Sequence, residues 1–432
     1  MSQRLPQQLR LGYVIGAAAL LLAACTAPPG SEETLFPADP ARAVEVGELE
    51  EDEFMTPPAA EANPAANGGE LLPGGDDRSE RLRSLTADWQ TDWTRHTVDY
   101  DEIISGGPPR DGIPSLDQPA FATQEEAAGW LADAEPVIAL ELNGEARAYP
   151  VQILTWHEIV NDEVGGVPVA VTFCPLCNSA VVFDRRVGGH VYEFGVSGLL
   201  RNSDLIMYDR TTESLWQQFT GEGIVGQHAG DRLTIVPASL ISFAEFRAAY
   251  PGAPVLSRET GYSRQYGVNP YAGYDSSSQP FLFRGQPDPR LPAMMRVVGV
   301  NLNGAQIAYP YDVLYKHGVI HDVIAGQDVV VFHSFGTNSA LGASVIAEAE
   351  DVGATGVFVP VVDGEKLTFI LRAGRILDEQ TGSAWNLAGQ AVEGELAGAR
   401  LERVAATDHF WFSWAAFYPD TVIFENDASE EE

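Results

Sequence analysis

Cysteine and positive charge are scarce in this chain, and most of the short motifs of enzyme chemistry are missing. Three cysteines occur in 432 residues, at 25, 174 and 177. Cys174 and Cys177 therefore have no second Cys-x-x-Cys to pair with, which excludes the strong four-cysteine zinc signature. Lysine and arginine total 26 against 61 acids, for a net charge of −35. A surface that negative repels phosphate backbones and anionic headgroups, which argues against nucleic acid and peripheral lipid binding. Past the N-terminus no apolar run approaches the ~20 residues needed to span a bilayer. There is no Gly-x-Ser-x-Gly elbow, phosphate-binding loop or dinucleotide fingerprint.

Two near misses exclude more. His157-Glu158-Ile159-Val160-Asn161 carries asparagine where a zincin needs its second histidine. A later stretch has that histidine, His321 after His317, but Gly318 stands in place of the glutamate. Covalent haem attachment needs a histidine directly after the second cysteine, and the residue there is Asn178.

What is present first indicates location. Arg4 and Arg10, an apolar stretch from Leu11 to Leu22, and Leu22-Ala23-Ala24-Cys25 make a three-part export signal. This resembles a bacterial lipobox, so residues 1–25 are expected to be a signal peptide and Cys25 the lipid-bearing first residue of the mature chain. The protein is then expected on the outer side of the cell membrane or on the outer membrane, joined to it by that lipid. Residues 26–80 hold acids, prolines, alanines and glycines, including Glu48-Leu49-Glu50-Glu51-Asp52-Glu53. Such a segment buries too little apolar surface to offset its ordering entropy, and reads as an acidic tether.

The remainder repeats itself. Val137 to Pro150 aligns with Val297 to Pro310 without a gap, a displacement of 160 residues that also relates His157 to His317, Asp162 to Asp322 and Asn178-Ser179-Ala180 to Asn338-Ser339-Ala340. Further on, Trp216 aligns with Trp385 and Tyr250-Pro251 with Tyr418-Pro419. So many matches read as an internal duplication. Each copy predicts a strand, an Asn-Gly hairpin turn, a strand and a short helix opened by Tyr-Pro. Strands follow at Val167 to Phe173, Ala180 to Asp184, Val191 to Phe194 and Leu205 to Asp209. A closing helix carries Phe243, Phe246 and Tyr250 in one copy and Trp411, Trp414 and Tyr418 in the other. The expected class is α+β: two duplicated lobes, mostly antiparallel β-sheet with short helices. Residues 81–257 hold the first repeat, 258–295 a connector and 296–425 the second repeat.

At the positions of Cys174 and Cys177 the second repeat has Ser334 and Thr337, so the shared fold does not need thiols there. An exported Cys-Pro-Leu-Cys is a metal clamp, an exchangeable disulfide or a structural staple. As a clamp, Cys174 and Cys177 would supply thiolates, with His157 and Glu158 on the preceding helix as further ligands, a set suited to zinc or copper. As a redox pair, Cys174 would attack and Cys177 resolve, although Ser179 to Phe183 reads as strand and supplies no helix N-terminus to lower a thiol pKa. A non-catalytic binding or scaffold protein with a disulfide-shaped loop is the third reading. His317 and His321, four apart on the expected helix, and His333 on the next strand form a possible second-lobe cluster. The block from Phe194 to Trp216 offers Arg201, Asn202 and Asp204 as polar lining beside the thiols, but is also good turn chemistry, which is the favoured reading. Met207 reads as core rather than copper ligand.

Gly106-Gly107-Pro108-Pro109-Arg110-Asp111-Gly112-Ile113-Pro114, Ala148-Tyr149-Pro150, Trp156 to Asp162, Cys174 to Ser179 and Ser214-Leu215-Trp216-Gln217-Gln218 resemble the bacterial and archaeal family catalogued as domain of unknown function 3179, from about Asp99 to the C-terminus. The resemblance implies that the His-Glu and Cys-x-x-Cys motifs belong to the family pattern. It implies no reaction.

Overall fold

The computed structural model describes residues 69–425. The export signal, Cys25 and the tether as far as residue 68 lie outside the described residues. Among those residues no helix is long and apolar enough to cross a membrane. The chain joins the fold before residue 80, where the tether was expected to end. Leu72 N–H donates to the His96 carbonyl at 2.9 Å, and the Arg78 guanidinium lies 3.9 Å from the Trp93 ring centroid.

Asn-Gly turns set the first hairpins. Pro136–Leu142 pairs with Glu145–Pro150 through Asn143 (φ 50°) and Gly144 (φ 81°), and Arg296–Leu302 pairs with Ala305–Pro310 through Asn303 (φ 52°) and Gly304 (φ 83°). Positive φ at both central residues matches the twist of the flanking strands, and asparagine and glycine tolerate it best. The helices Val151–His157 and Tyr311–His317 follow directly. Pro150 and Pro310 cap them while ending the strand, one position earlier than a first-turn proline. No amide is wasted in either case. Strand pairs Ile159–Val164 with Val167–Cys174 and Val319–Ile324 with Gln327–Ser334 come next, so five successive elements recur at the same displacement.

The sheets are small and mostly antiparallel, with short helices between them. Two short strands, Val255–Leu256 and Val422–Ile423, run parallel to Glu145–Pro150 and Ala305–Pro310. The main buried cluster takes in Val169, Phe173, Phe183 and Trp216 from the first half together with Leu341, Phe410 and Phe412 from the second. Another joins Val137, Phe243 and Phe246 to Phe332 and Phe358. The halves are held by shared apolar burial, the largest favourable contribution to folding.

The expected strand from Val191 to Phe194 is interrupted. His190–Val191 forms a small hairpin, and a long strand runs over Phe194–Arg201. That strand bulges between Val196 and Leu199. Its Gly198 has φ 77°, and a Cβ there would come within 2.2 Å of the Pro108 carbonyl, so glycine is required by close approach of the Pro108 segment. Met207 is fully buried in the main core.

One polar knot occurs in both halves. Asp209 accepts from Thr212 N (2.6 Å), Thr212 Oγ1 (2.7 Å) and Trp216 Nε1 (3.1 Å). Asp378 accepts likewise from Thr381 N (2.6 Å), Thr381 Oγ1 (2.8 Å) and Trp385 Nε1 (3.0 Å). Asp209→Ala leaves the buried indole N–H unpaired and releases the half-exposed amides of Thr211 and Thr212. At about 1–3 kcal/mol for the buried group left unsatisfied, the loss should be about 2 kcal/mol, read as a lower urea midpoint.

Candidate functional site

The thiols sit on a tight hairpin. Val167–Cys174 pairs with Ser179–Asp184, Cys174 lies opposite Ser179, and Pro175 to Asn178 make the turn. Asn178 N–H closes it on the Pro175 carbonyl at 3.3 Å, and Asn178 takes φ 51°. Asparagine suits that left-handed position. Both cysteines are free and buried.

A second hairpin delivers the third group. Phe194–Arg201 turns into Asp204–Asp209 through Asn202 (φ 53°) and Ser203 (φ 66°). This turn is buried against the thiols instead of facing water. The Ser203 carbonyl is 3.5 Å from Cys177 Sγ and 3.9 Å from Cys174 Sγ. Asp204 Oδ2 accepts from Gln217 Nε2 at 2.7 Å and Phe219 N at 3.0 Å, whereas its buried Oδ1 meets no N–H or O–H donor and the carboxylate's other neighbours are the two thiols. Among the described residues, Cys174, Cys177 and Asp204 are the one group of three or more His, Cys, Asp or Glu whose ligand atoms converge, all within 4.8 Å of one another.

Burial dominates the electrostatics. It raises the pKa of Cys174, and raises that of Cys177 well above the usual thiol range with Cys174 adding to the effect. It pushes Asp204 up to about 7. Glu158 is pushed up to about 8, first by burial and then by the Asp204 charge. Among the described residues no ion pair reaches either carboxylate. Arg201, close by in sequence, is committed to Glu102 at 2.7 Å. Each group pays to be ionised because nothing positive offsets it.

Glu158 caps the helix Val151–His157 with φ 59° and ψ −32°, a backbone state costly for a side-chain-bearing residue. The position displaced by 160 residues is Gly318, with φ 67°. The Glu158 carboxylate accepts no hydrogen bond from any described residue, and it lies outside the converging group although close enough to raise the Cys174 pKa.

His157 is placed elsewhere. Its Nδ1 is 2.7 Å from the Pro114 carbonyl and its Nε2 2.7 Å from Tyr266 Oη, so both ring nitrogens are engaged and neither points at sulfur. Asp204 is the group that the structure brings to the thiols.

The expected second-lobe cluster does not assemble. The helix ends at His317, and Gly318 leads into the strand Val319–Ile324, so His321 shares no helical face with His317. His321 Nε2 accepts the Phe369 N–H at 2.9 Å, while His333 packs its ring against Tyr311, Tyr315 and Phe335. None of the three joins the thiols.

The connector closes over this turn. Tyr274 Oη donates to the Leu176 carbonyl at 3.0 Å, Phe281 N–H donates to Tyr274 Oη at 3.2 Å, and Ser203 Oγ donates to the Phe281 carbonyl. Nothing in the composition of the connector singled out these contacts. Asp204 had one local signal, an acid opening the apolar strand Leu205-Ile206-Met207-Tyr208.

Fold and site together define a mostly antiparallel β protein with a buried thiol–carboxylate centre. The chain belongs to the family described as protein of unknown function (DUF3179), whose pattern it matches over residues 110–421. Neither the curated proteins nor the solved structures contain a match to it.

Proposed function

We propose that this is a metal-binding protein in which Cys174, Cys177 and Asp204 hold one transition-metal ion, with Glu158 beside it. The observation that carries the reading is the convergence of both sulfurs and a buried Asp204 carboxylate oxygen within 4.8 Å of one another, with Oδ1 bonded to no N–H or O–H group and no basic side chain paired to the site among the described residues. Buried charge is tolerated when paired or bound to metal. Two thiolates and a carboxylate oxygen suit zinc, and copper(I) would want a softer third donor than aspartate. The redox reading carries less weight, because the pair stands on a β-turn without a helix dipole to activate one thiol over the other.

The repeat arrangement supports the same reading. We take residues 81–257 and 296–425 as duplicated lobes joined by the connector 258–295. The matched elements, the Tyr149–Asp162 and Tyr309–Asp322 hydrogen bonds and the two Asp–Trp knots all speak for it. Where the first lobe has Cys174, Cys177 and Glu158, the second has Ser334, Thr337 and Gly318. At the displacement that relates Asp209 to Asp378, the partner of Asp204 is Ala373. A fold that persists without these donors leaves them free for chemistry. The sequence from Arg4 to Cys25 supports export and lipid attachment outside the cytoplasmic membrane.

The test is elemental analysis of the soluble region, produced by export and purified without chelators. One zinc per chain is expected. A metal-free protein lighter by two hydrogens would replace this reading with a disulfide.

A further inference from the structure

A second polar cluster gathers around His157, and the metal reading makes no use of it. The Pro114 carbonyl can only accept, so His157 Nδ1 carries the proton. Burial holds the imidazole neutral, with its pKa down at about 4. Nε2 is then bare and receives the Tyr266 hydroxyl hydrogen at 2.7 Å. Tyr266 Oη, having given its proton away, accepts from Thr260 Oγ1 at 2.5 Å. Thr260 Oγ1 receives the Tyr262 N–H at 3.3 Å and keeps one lone pair uncommitted. The buried relay therefore fixes the outermost hydroxyl as an acceptor.

Thr260 and Tyr262 line a cavity of about 300 Å³ together with Asp117, Gln118 and Leu256. That is the lower end of the ~300–1,000 Å³ range for small-molecule sites. Asp117 is the only charged residue in the wall. Ser115 Oγ and Asn161 Nδ2 donate to its Oδ1 at 2.9 and 2.7 Å, and its Oδ2 shares Arg210 with Asp111, at 3.2 and 3.1 Å. One guanidinium between two carboxylates leaves a small excess of negative charge, which disfavours an anion. The Gln118 amide bonds to no described residue, leaving donors and an acceptor for a ligand. Tyr262 is 46% exposed and packs against the His157 ring, 5.5 Å between centroids. An anchored, half-exposed aromatic offers an apolar face with hydrogen-bonding groups around it.

We propose that this cavity binds a neutral, hydroxyl-bearing ring compound of single-sugar size, with its C–H face on Tyr262 and its hydroxyls donating to Thr260 and exchanging hydrogen bonds with Gln118. An anionic ligand would meet no counter-charge, the Asp117 carboxylate is already engaged by three donors, and a purely apolar ligand would leave Thr260 and Gln118 unpaired. The site is independent of the thiol centre.

Calorimetric titration of the metal-replete protein with free hexoses and N-acetylhexosamines, up to tens of millimolar, tests this. At least one sugar should bind saturably, and Tyr262→Ala should weaken it about tenfold or more, the worth of one lost contact of ~1.4 kcal/mol. Thr260→Val, which keeps the shape and removes the acceptor, should weaken it similarly. Metal content should be the same in both variants, so this proposal and the metal reading fail separately. Absence of saturable binding by every sugar, or binding unchanged in Tyr262→Ala, overturns it.

Discussion

On the metal reading, Cys174→Ser should empty the thiol centre. The purified variant should contain less than a tenth of the metal of the parent protein, measured by elemental analysis under identical purification. A partner one shell removed from a metal already costs about 10–100-fold in affinity when lost, and one of three direct donors should cost more. Structural effects separate cleanly. The hydroxyl is smaller than the thiol and the second half carries Ser334 at the matching place, so the variant should fold, with its β-rich circular dichroism unchanged. Retention of metal in folded Cys174→Ser protein would remove the thiolates from the ligand set. Asp204→Asn should lose metal to a similar degree, while His157→Ala should retain it, because both imidazole nitrogens are engaged away from the sulfurs.

Stripped of metal, the protein should lose the stability that Asp204 and Glu158 lend as pH rises from about 4 to about 8. Asp204 and Glu158 have folded-state pKa values of about 7 and about 8, above their ordinary 3.8 and 4.5. Between the unfolded and folded values the native chain binds more protons than the unfolded one. The stability these groups lend is fully present below the unfolded values and is lost as pH climbs through 7 and 8. Each group contributes at most about 1.4 kcal/mol per pH unit. Urea midpoints measured across that range should fall steadily, and Asp204→Asn or Glu158→Gln should flatten the slope. Zinc should reverse the trend, since its ligands must be deprotonated and its stabilisation grows with pH. A slope left unchanged by both Asp204→Asn and Glu158→Gln would mean that the two carboxylates are not held as acids in the fold.

Local chemistry made much of the fold legible. Asn143-Gly144 and Asn303-Gly304 can scarcely be anything but hairpin turns, and the run Val167–Cys174 reads as a strand without alternation because both of its faces are buried. The site was legible only in part. The cysteine pair is local, but Asp204 reaches it through a hairpin whose turn packs inward, a long-range event that no window of sequence contains. His157 and Glu158 are adjacent in sequence yet serve different surroundings, because the helix ends between them and Glu158 takes a positive φ. For His317 and His321 the deciding signal was in the sequence. Gly318 is a helix-ending glycine, and it places His321 beyond the helix on a strand.

On the metal reading, the hold of Tyr274 and Phe281 on the thiol turn bears on when an ion could enter. Tyr274 is tied to Leu176 and Phe281, and Ser203 to Phe281, so the sulfurs are sealed beneath a segment that crosses over them. If the centre holds an ion, that ion would reach the sulfurs before this segment settles, or during its local openings. Loading would then belong to the folding of the chain. Exchange afterwards would follow the opening rate of this segment, so a weakly bound ion would still leave slowly.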